Sequence, residues 1–163
     1  MNNITLLGMP GAGKSTIGVL LAKALGFDFL DTDLLIQNEE GMLLREIIAQ
    51  KGLDKFKQIE ERVNAGVNVD RTVIAPGGSV IYGPQAMKHL RSISKVIYLK
   101  LSYEELRKRL GDLTKRGVVF ENGQTLKDLY EERVPLYEKY AHISVDADGL
   151  DIGEVLDEVL QNL

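Results

Sequence analysis

The stretch Gly8-Met9-Pro10-Gly11-Ala12-Gly13-Lys14-Ser15 fits the pattern G-x-x-x-x-G-K-[ST], with an apolar strand-like run before it and an amphipathic segment after it. The chemistry this allows is phosphate binding. Small residues let the backbone N–H groups of Gly11, Ala12 and Gly13 turn inward around phosphate oxygens, and the positive end of the following helix favours the same anion. Lys14 adds a mobile positive charge. Ser15 can offer its hydroxyl to a magnesium ion bridging the outer phosphates. Residues 8–16, ending at Thr16, are therefore expected to bind ATP with magnesium. The motif names a nucleotide and not a reaction, so the acceptor has to be read from the rest of the chain.

Asp31-Thr32-Asp33 follows the second strand-like run, at the carboxyl end where open α/β sheets place ligands. Of its two carboxylates, one suits magnesium held through water and the other suits the proton of a hydroxyl attacking phosphorus. Asp33 reads equally well as the cap of a helix beginning near Leu34. Pro76-Gly77-Gly78-Ser79 follows the third strand-like run, and adjacent glycines permit close approach of backbone N–H groups to a ligand; a plain tight turn is the competing reading. Lys57 and Glu60 lie three apart on the polar side of a helix, which reads as a solvated ion pair worth a few tenths of a kcal/mol. Arg133 sits in a helix that Pro135 is expected to kink or end, and such breaks often aim a side chain into a cleft. Arg116 falls in a Gly-punctuated, partly basic stretch over 111–123, read as a mobile lid. An arginine brought over phosphates by a closing lid is worth about 10³ to 10⁵ in rate.

The elements that must position these residues alternate in type. Short β-type runs are expected at 4–7, 27–30, 72–75, 95–99 and 142–145, with helical period between them. Ile17, Leu20, Leu21 and Ala24 form one face of a helix that stops before Gly26. Phe56, Ile59, Val63 and Val67 repeat the device over 53–67. Ser102 with Glu105 forms a capping-box pattern for a helix starting near Tyr103, and Ile152, Val155, Leu156, Val159 and Leu160 make the last stripe. This alternation predicts an α/β fold, a parallel sheet covered by helices.

Composition bounds the rest. At 163 residues the chain reads as one domain over 1–163. No apolar run is long enough to cross a bilayer, and the first residues lack the basic start and small-residue cleavage site of an export signal, so a cytoplasmic protein is expected. With no cysteine and two well-separated histidines, disulfides and thiolate sites are excluded, and any metal is expected on oxygen ligands. A net charge of −4 argues against a general nucleic-acid surface and for a small-molecule partner. A compact chain without a surplus apolar stripe is compatible with a monomer.

Several motifs in this order resemble the shikimate kinase family nearly end to end: LLGMPGAGKSTIG at 6–18, FLDTD at 29–33, FKQIE at 56–60, APGGS at 75–79 and ERVPLY at 132–137. The resemblance implies a three-layer P-loop NTPase fold with a five-stranded parallel sheet and helices on both faces. It implies transfer of the γ-phosphate of ATP to shikimate, giving shikimate 3-phosphate on the route to chorismate and the aromatic amino acids. By resemblance Asp33 contacts the acceptor hydroxyls and serves as base, Asp31 supports magnesium through water, Arg133 binds the acceptor carboxylate, and Arg116 is the lid arginine. Gly77 and Gly78 would line the acceptor pocket, with Ser79 where the family has a third glycine and Pro76 where it has threonine. Lys57 stands where the family has an arginine that grips the carboxylate together with Arg133. The lid reads Lys115-Arg116-Gly117-Val118-Val119-Phe120 in place of the usual Arg-Pro-Leu-Leu character. Arg107 or Arg109 would stack on the adenine. Two rivals follow from the departures: a related P-loop kinase for another hydroxy acid, amino acid or polyol, and a catalytically silent ATP-binding regulatory module.

Overall fold

A computed structural model describes residues 2–110 and 123–163. Within them β1 (Asn3–Leu7), β2 (Asp28–Asp31), β3 (Thr72–Ala75), β4 (Ser94–Lys100) and β5 (Ile143–Asp146) pair in parallel in the order β2-β3-β1-β4-β5. All five strand-like runs of the sequence are strands, with ends shifted by a residue or two. β1 is buried along its whole length, as parallel strands covered on both faces are. Its polar members are satisfied inside the sheet: Thr5 Oγ1 and Ser94 Oγ share a hydrogen bond of 2.7 Å, and Asn3 bridges the backbones of Val69, Ile93 and Thr72.

Helices cover both faces, and register shows it. Leu6 pairs with Ile97, so Tyr98 points to the opposite face from Leu6. On the Leu6 face lies α1 (Lys14–Leu25), whose Gly18 packs against Leu6 and Phe29. On the Tyr98 face lies α7 (Leu126–Tyr140), whose Tyr137 stacks on Tyr98 with centroids 5.1 Å apart. α5 (Pro84–Ile93) packs on β4, and α8 (Ile152–Gln161) packs on α1 and β5. α1 ends at Gly26 in the left-handed region (φ 66°), as expected.

Between β2 and β3 stand α2 (Thr32–Glu40), α3 (Leu44–Lys51) and α4 (Leu53–Ala65). They enclose a second, smaller core of Ile36, Ile47, Phe56, Ile59 and Val63, separate from the core around the sheet. Neither α3 nor α5 was among the expected elements. The eight residues of α3 are too short to show a stripe, whereas the Gly83-Pro84 start of α5 and its buried Ala86, Met87 and Leu90 were a readable signal.

Three expectations need correction. Pro135 does not end its helix: α7 continues to Tyr140, because Leu129, Arg133 and Tyr137 are buried on one side while Pro135 is exposed on the other. Ser102 caps α6 (Tyr103–Arg109) by accepting from the Glu105 N–H at 3.2 Å, but the Glu105 carboxylate turns to Arg109 instead of closing the box. Ile152, assigned to the last apolar stripe, is 51% exposed, while Val155 and Val159 are buried. Among the described residues no helix is long and apolar enough to cross a membrane.

A Cβ at Gly18 would lie 2.5 Å from the Phe29 ring. Gly18→Ala is therefore expected to lower stability by about 1–3 kcal/mol in denaturant titration, against the usual gain of about 1 kcal/mol for this change in an exposed helix.

Candidate active site

The carboxyl ends of β1, β2 and β3 open on one cavity of about 580 Å³. β1 leads into the Gly-rich loop, where Gly11 (φ 84°) and Gly13 (φ 91°) take left-handed conformations that side chains disfavour. The loop closes with Ala12 N–H donating to Met9 O at 3.0 Å, and Gly13 caps α1. Ser15 and Thr16 line the cavity, and Ala12 is buried behind the loop. Lys14 folds back on its own loop, its Nζ donating to Gly8 O at 2.7 Å and Met9 O at 3.0 Å. Burial pulls its pKa down to about 8, a fall opposed by Asp33 and reinforced by Arg133.

β2 delivers the carboxylates. Asp31 Oδ1 accepts from the N–H groups of Asp33 at 2.9 Å and Leu34 at 3.4 Å, so Asp31 caps α2. The competing reading of Asp33 as the cap is thereby overturned: the helix starts two residues earlier than Leu34, which places Asp33 in the first turn with its side chain at the cavity. Asp33 Oδ1 is buried with no hydrogen-bond partner among the described residues. Burial raises its pKa to about 6, the Asp31 charge adds to the rise, and Lys14 opposes it.

β3 delivers the Gly77-Gly78-Ser79 turn, and close packing explains both glycines. A Cβ at Gly77 would sit 2.8 Å from Asp33 Oδ1 and 3.0 Å from Glu60 Oε2. At Gly78 it would sit 3.0 Å from both Arg133 Nη1 and Pro10 Cδ. The Tyr137 hydroxyl donates to Gly78 O at 2.6 Å and lies 3.8 Å from Met9 Sδ, which ties the turn to the phosphate loop.

The solvated Lys57–Glu60 pair is a second correction. Glu60 is only 2% exposed, and Ser79 Oγ lies 2.7 and 2.9 Å from its two carboxylate oxygens. Burial lifts its pKa to about 8, against the pull of the Ser79 hydrogen bond. The physical reason is that α4 packs against α2, α3, α5 and the turn that follows Ser79, which brings Glu60 alone of its polar side chains to the cavity wall instead of into water. Lys57 is absent from the cavity wall; its ammonium lies over the Tyr82 ring, 4.7 Å from the centroid. Arg133 is 1% exposed and lines the cavity. Arg109 also reaches the wall, while Arg107 pairs with Glu104 in an exposed position. Arg116 and the lid expected over 111–123 lie outside the described residues, Gly123 excepted.

Glu60, Tyr82 and Tyr137 are the site residues that sequence reasoning missed. Tyr137 follows Arg133 by one helical turn, a spacing that puts both on one face, and that signal was available. Glu60 and Tyr82 had none, since their placement depends on packing between distant elements.

The donor set fits magnesium. Ser15 and Asp31 both face the cavity with hard oxygen donors, and the cap uses only Oδ1 of Asp31. Among the described residues no group of three or more acidic, His or Cys side chains gathers to hold a metal unaided, which suits an ion that shares its ligands with phosphate and water.

Comparison with known proteins accords with this geometry. The family model described as shikimate kinase matches residues 10–163. A shikimate kinase of Thermodesulfovibrio yellowstonii is 37% identical over 164 residues, covering 99% of this chain and 94% of the relative. This chain belongs to the shikimate kinase family. It is an ATP-dependent phosphotransferase that works with magnesium, on the P-loop kinase fold. Among solved structures, shikimate kinase from Acinetobacter baumannii in complex with shikimate superposes with a TM-score of 0.89 at 29% identity, covering 99% of this chain and 92% of that one. A deoxyadenosine kinase from M. mycoides with bound dATP shares the fold alone, with a TM-score of 0.64 at 16% identity over 98% of both chains.

Because Glu60 holds its proton up to about pH 8 when folded but ionises near 4.5 as a free side chain, its contribution to stability is full below pH 4.5 and is lost as pH rises through 8. Glu60→Gln keeps the shape without the ionisation. Its melting temperature relative to the native protein is expected to climb by several degrees between pH 5 and pH 9 in nucleotide-free thermal scans.

Proposed function

We propose that this chain phosphorylates a ring hydroxyl of shikimate with ATP, giving shikimate 3-phosphate and ADP. The observation that carries the reading is Asp33: a buried carboxylate oxygen without a partner among the described residues, at the cavity wall, between the phosphate loop and the Gly77 turn. The acceptor oxygen attacks the γ-phosphorus, the bond to the bridging oxygen of ADP breaks, and Asp33 takes the hydroxyl proton and returns it to solvent. An acid with a pKa near 6 is largely ionised at neutral pH yet close enough to it to accept a proton readily.

The other roles follow from chemistry and position. Lys14 exchanges the carbonyls of Gly8 and Met9 for phosphate oxygens, and the N–H groups of Gly11, Ala12, Gly13, Ser15 and Thr16 surround the same phosphates. Ser15 and Asp31 would hold magnesium, which would supply positive charge to neutralise the outer phosphates. Arg133 and Lys57 receive the acceptor carboxylate, and Gly77, Gly78 and Ser79 form the wall behind its ring. Arg109 lies flat against the adenine, and Arg116 adds positive charge at the transferring phosphoryl group. In this reading the chain acts as one P-loop kinase domain over 1–163, as a cytoplasmic monomer.

The test is ADP release with magnesium-ATP and shikimate beside a panel of other hydroxy acids, amino acids and polyols. Turnover is expected on shikimate, with kcat/KM falling as pH drops below about 6, where Asp33 becomes protonated. Asp33→Asn is expected to lower kcat by about 10² to 10⁴ while leaving ATP affinity within a few-fold. Activity confined to another member of the panel would replace shikimate as the acceptor.

A further inference from the structure

Tyr137 does not line the cavity, yet its hydroxyl lies where two parts of the cavity wall come together. It donates to Gly78 O at 2.6 Å, on the turn that follows β3, and accepts from the Arg133 guanidinium. Met9 Sδ of the phosphate loop lies 3.8 Å away; the single hydroxyl proton is already given to Gly78, so this is a packing contact. Around Gly78 the same parts close in, for a Cβ there would sit 3.0 Å from Pro10 Cδ and 3.1 Å from the Tyr137 hydroxyl oxygen. The turn and the phosphate loop are therefore close-packed, with the Tyr137 hydroxyl against both.

Each side of this joint fixes something different. Met9 O accepts from the Ala12 N–H and from Lys14 Nζ, each at 3.0 Å, so the residue in contact with Tyr137 also closes the phosphate loop. Gly77 and Gly78 belong to the wall on the other side. Tyr137 itself has little freedom: it is fully buried and its ring is stacked on Tyr98 of β4, the strand that pairs with β1. A rigid phenol thus refers both turn and loop to the sheet.

In-line transfer needs the attacking oxygen and the phosphorus held about 3–3.5 Å apart, and an error of about 1 Å can cost about 10² in rate. Groups that bind the nucleotide sit on the loop, and groups that bind the acceptor sit on the turn and its neighbours. The separation between the two ligands belongs to the joint. We propose that Tyr137 is a positioning residue for phosphoryl transfer, whose hydroxyl fixes the Gly77-Gly78 turn against the phosphate loop and so sets the separation of acceptor and nucleotide. The proposal rests on the reading that places shikimate against this turn.

Tyr137→Phe keeps the stacked ring and removes the hydroxyl. Each ligand then retains its own contacts, so binding is spared while the chemical step slows. The experiment is single-turnover transfer from magnesium-ATP to shikimate at saturation on the full chain, measured by rapid quench beside the Kd of each ligand. Tyr137→Phe is expected to slow transfer about tenfold with both Kd values within about twofold of native. Tyr130→Phe is the control, because Tyr130 on the same helix makes a similar bond, to Leu101 O at 2.8 Å, away from the cavity. It is expected to transfer within about twofold of the native rate. Should Tyr137→Phe fail to fold, Met9→Leu reaches the joint from the loop side and is expected to slow transfer about threefold at unchanged Kd. A native transfer rate in Tyr137→Phe, a loss matched by weaker binding, or equal slowing in Tyr130→Phe overturns the proposal while shikimate turnover stands; in the fallback, a native rate in Met9→Leu does the same. Turnover of another acceptor instead of shikimate overturns the substrate reading alone, and the same comparison with that acceptor decides the proposal. No turnover of any acceptor overturns both.

Discussion

Asp33 and Glu60 approach the α-carbon of Gly77 from two different helices, near enough that a methyl group there would lie 2.8 Å from one carboxylate and 3.0 Å from the other. Each is desolvated, and desolvation is the largest cause of the raised pKa of both. The surroundings resist that rise: Lys14 draws Asp33 towards its ionised form, and the Ser79 hydrogen bond and Arg133 draw Glu60 the same way. Burial outweighs these pulls further at Glu60 than at Asp33, leaving them at about 8 and about 6, so that near neutral pH Asp33 is mostly ionised and Glu60 mostly protonated. Separation of this sort between neighbouring acids is how a fold assigns them different tasks.

The Gly77 turn has to stay where these groups meet, and the fastening comes from α7. Tyr137 is buried, stacked on Tyr98 of the sheet, and gives its hydroxyl to Gly78. Arg133, one turn earlier on the same helix, packs close to the same glycine. Continuation of α7 through Pro135 is what allows both side chains to share one face, so the uninterrupted helix is itself part of the site. The separate core of α2, α3 and α4 carries Asp33 and Glu60, whereas the main core carries the phosphate loop and Arg133. The walls of the cavity are thus built on two packed clusters joined through the carboxyl ends of the strands.

The strands and the phosphate loop were legible because their signals are local. An apolar run of four or five residues, followed by glycines and a helical stripe, specifies β1, the loop and α1 without reference to anything distant. Asp33 was legible as a carboxylate at a strand end but not as the uncapped member of its pair, since Asp31 and Asp33 can each cap a helix and only the actual first residue of α2 decides between them. Glu60 was misread for a related reason. Helical period shows which residues share a face, and it does not show whether that face meets water or another element.

By itself, then, the order of residue types determined a parallel α/β sheet with a phosphate-binding loop after its first strand, and it set down the side chains of a phosphotransferase in recognisable motifs. Those features rest on backbone geometry and periodicity over a few residues. Tertiary structure alone decided that Glu60 is buried and holds its proton, that Lys57 rests on Tyr82 outside the cavity wall, and that Tyr137 binds the Gly77-Gly78 turn to the phosphate loop. Each of these depends on solvent exclusion or on contact between residues far apart in the chain, and both arise only when the helices are packed on the sheet.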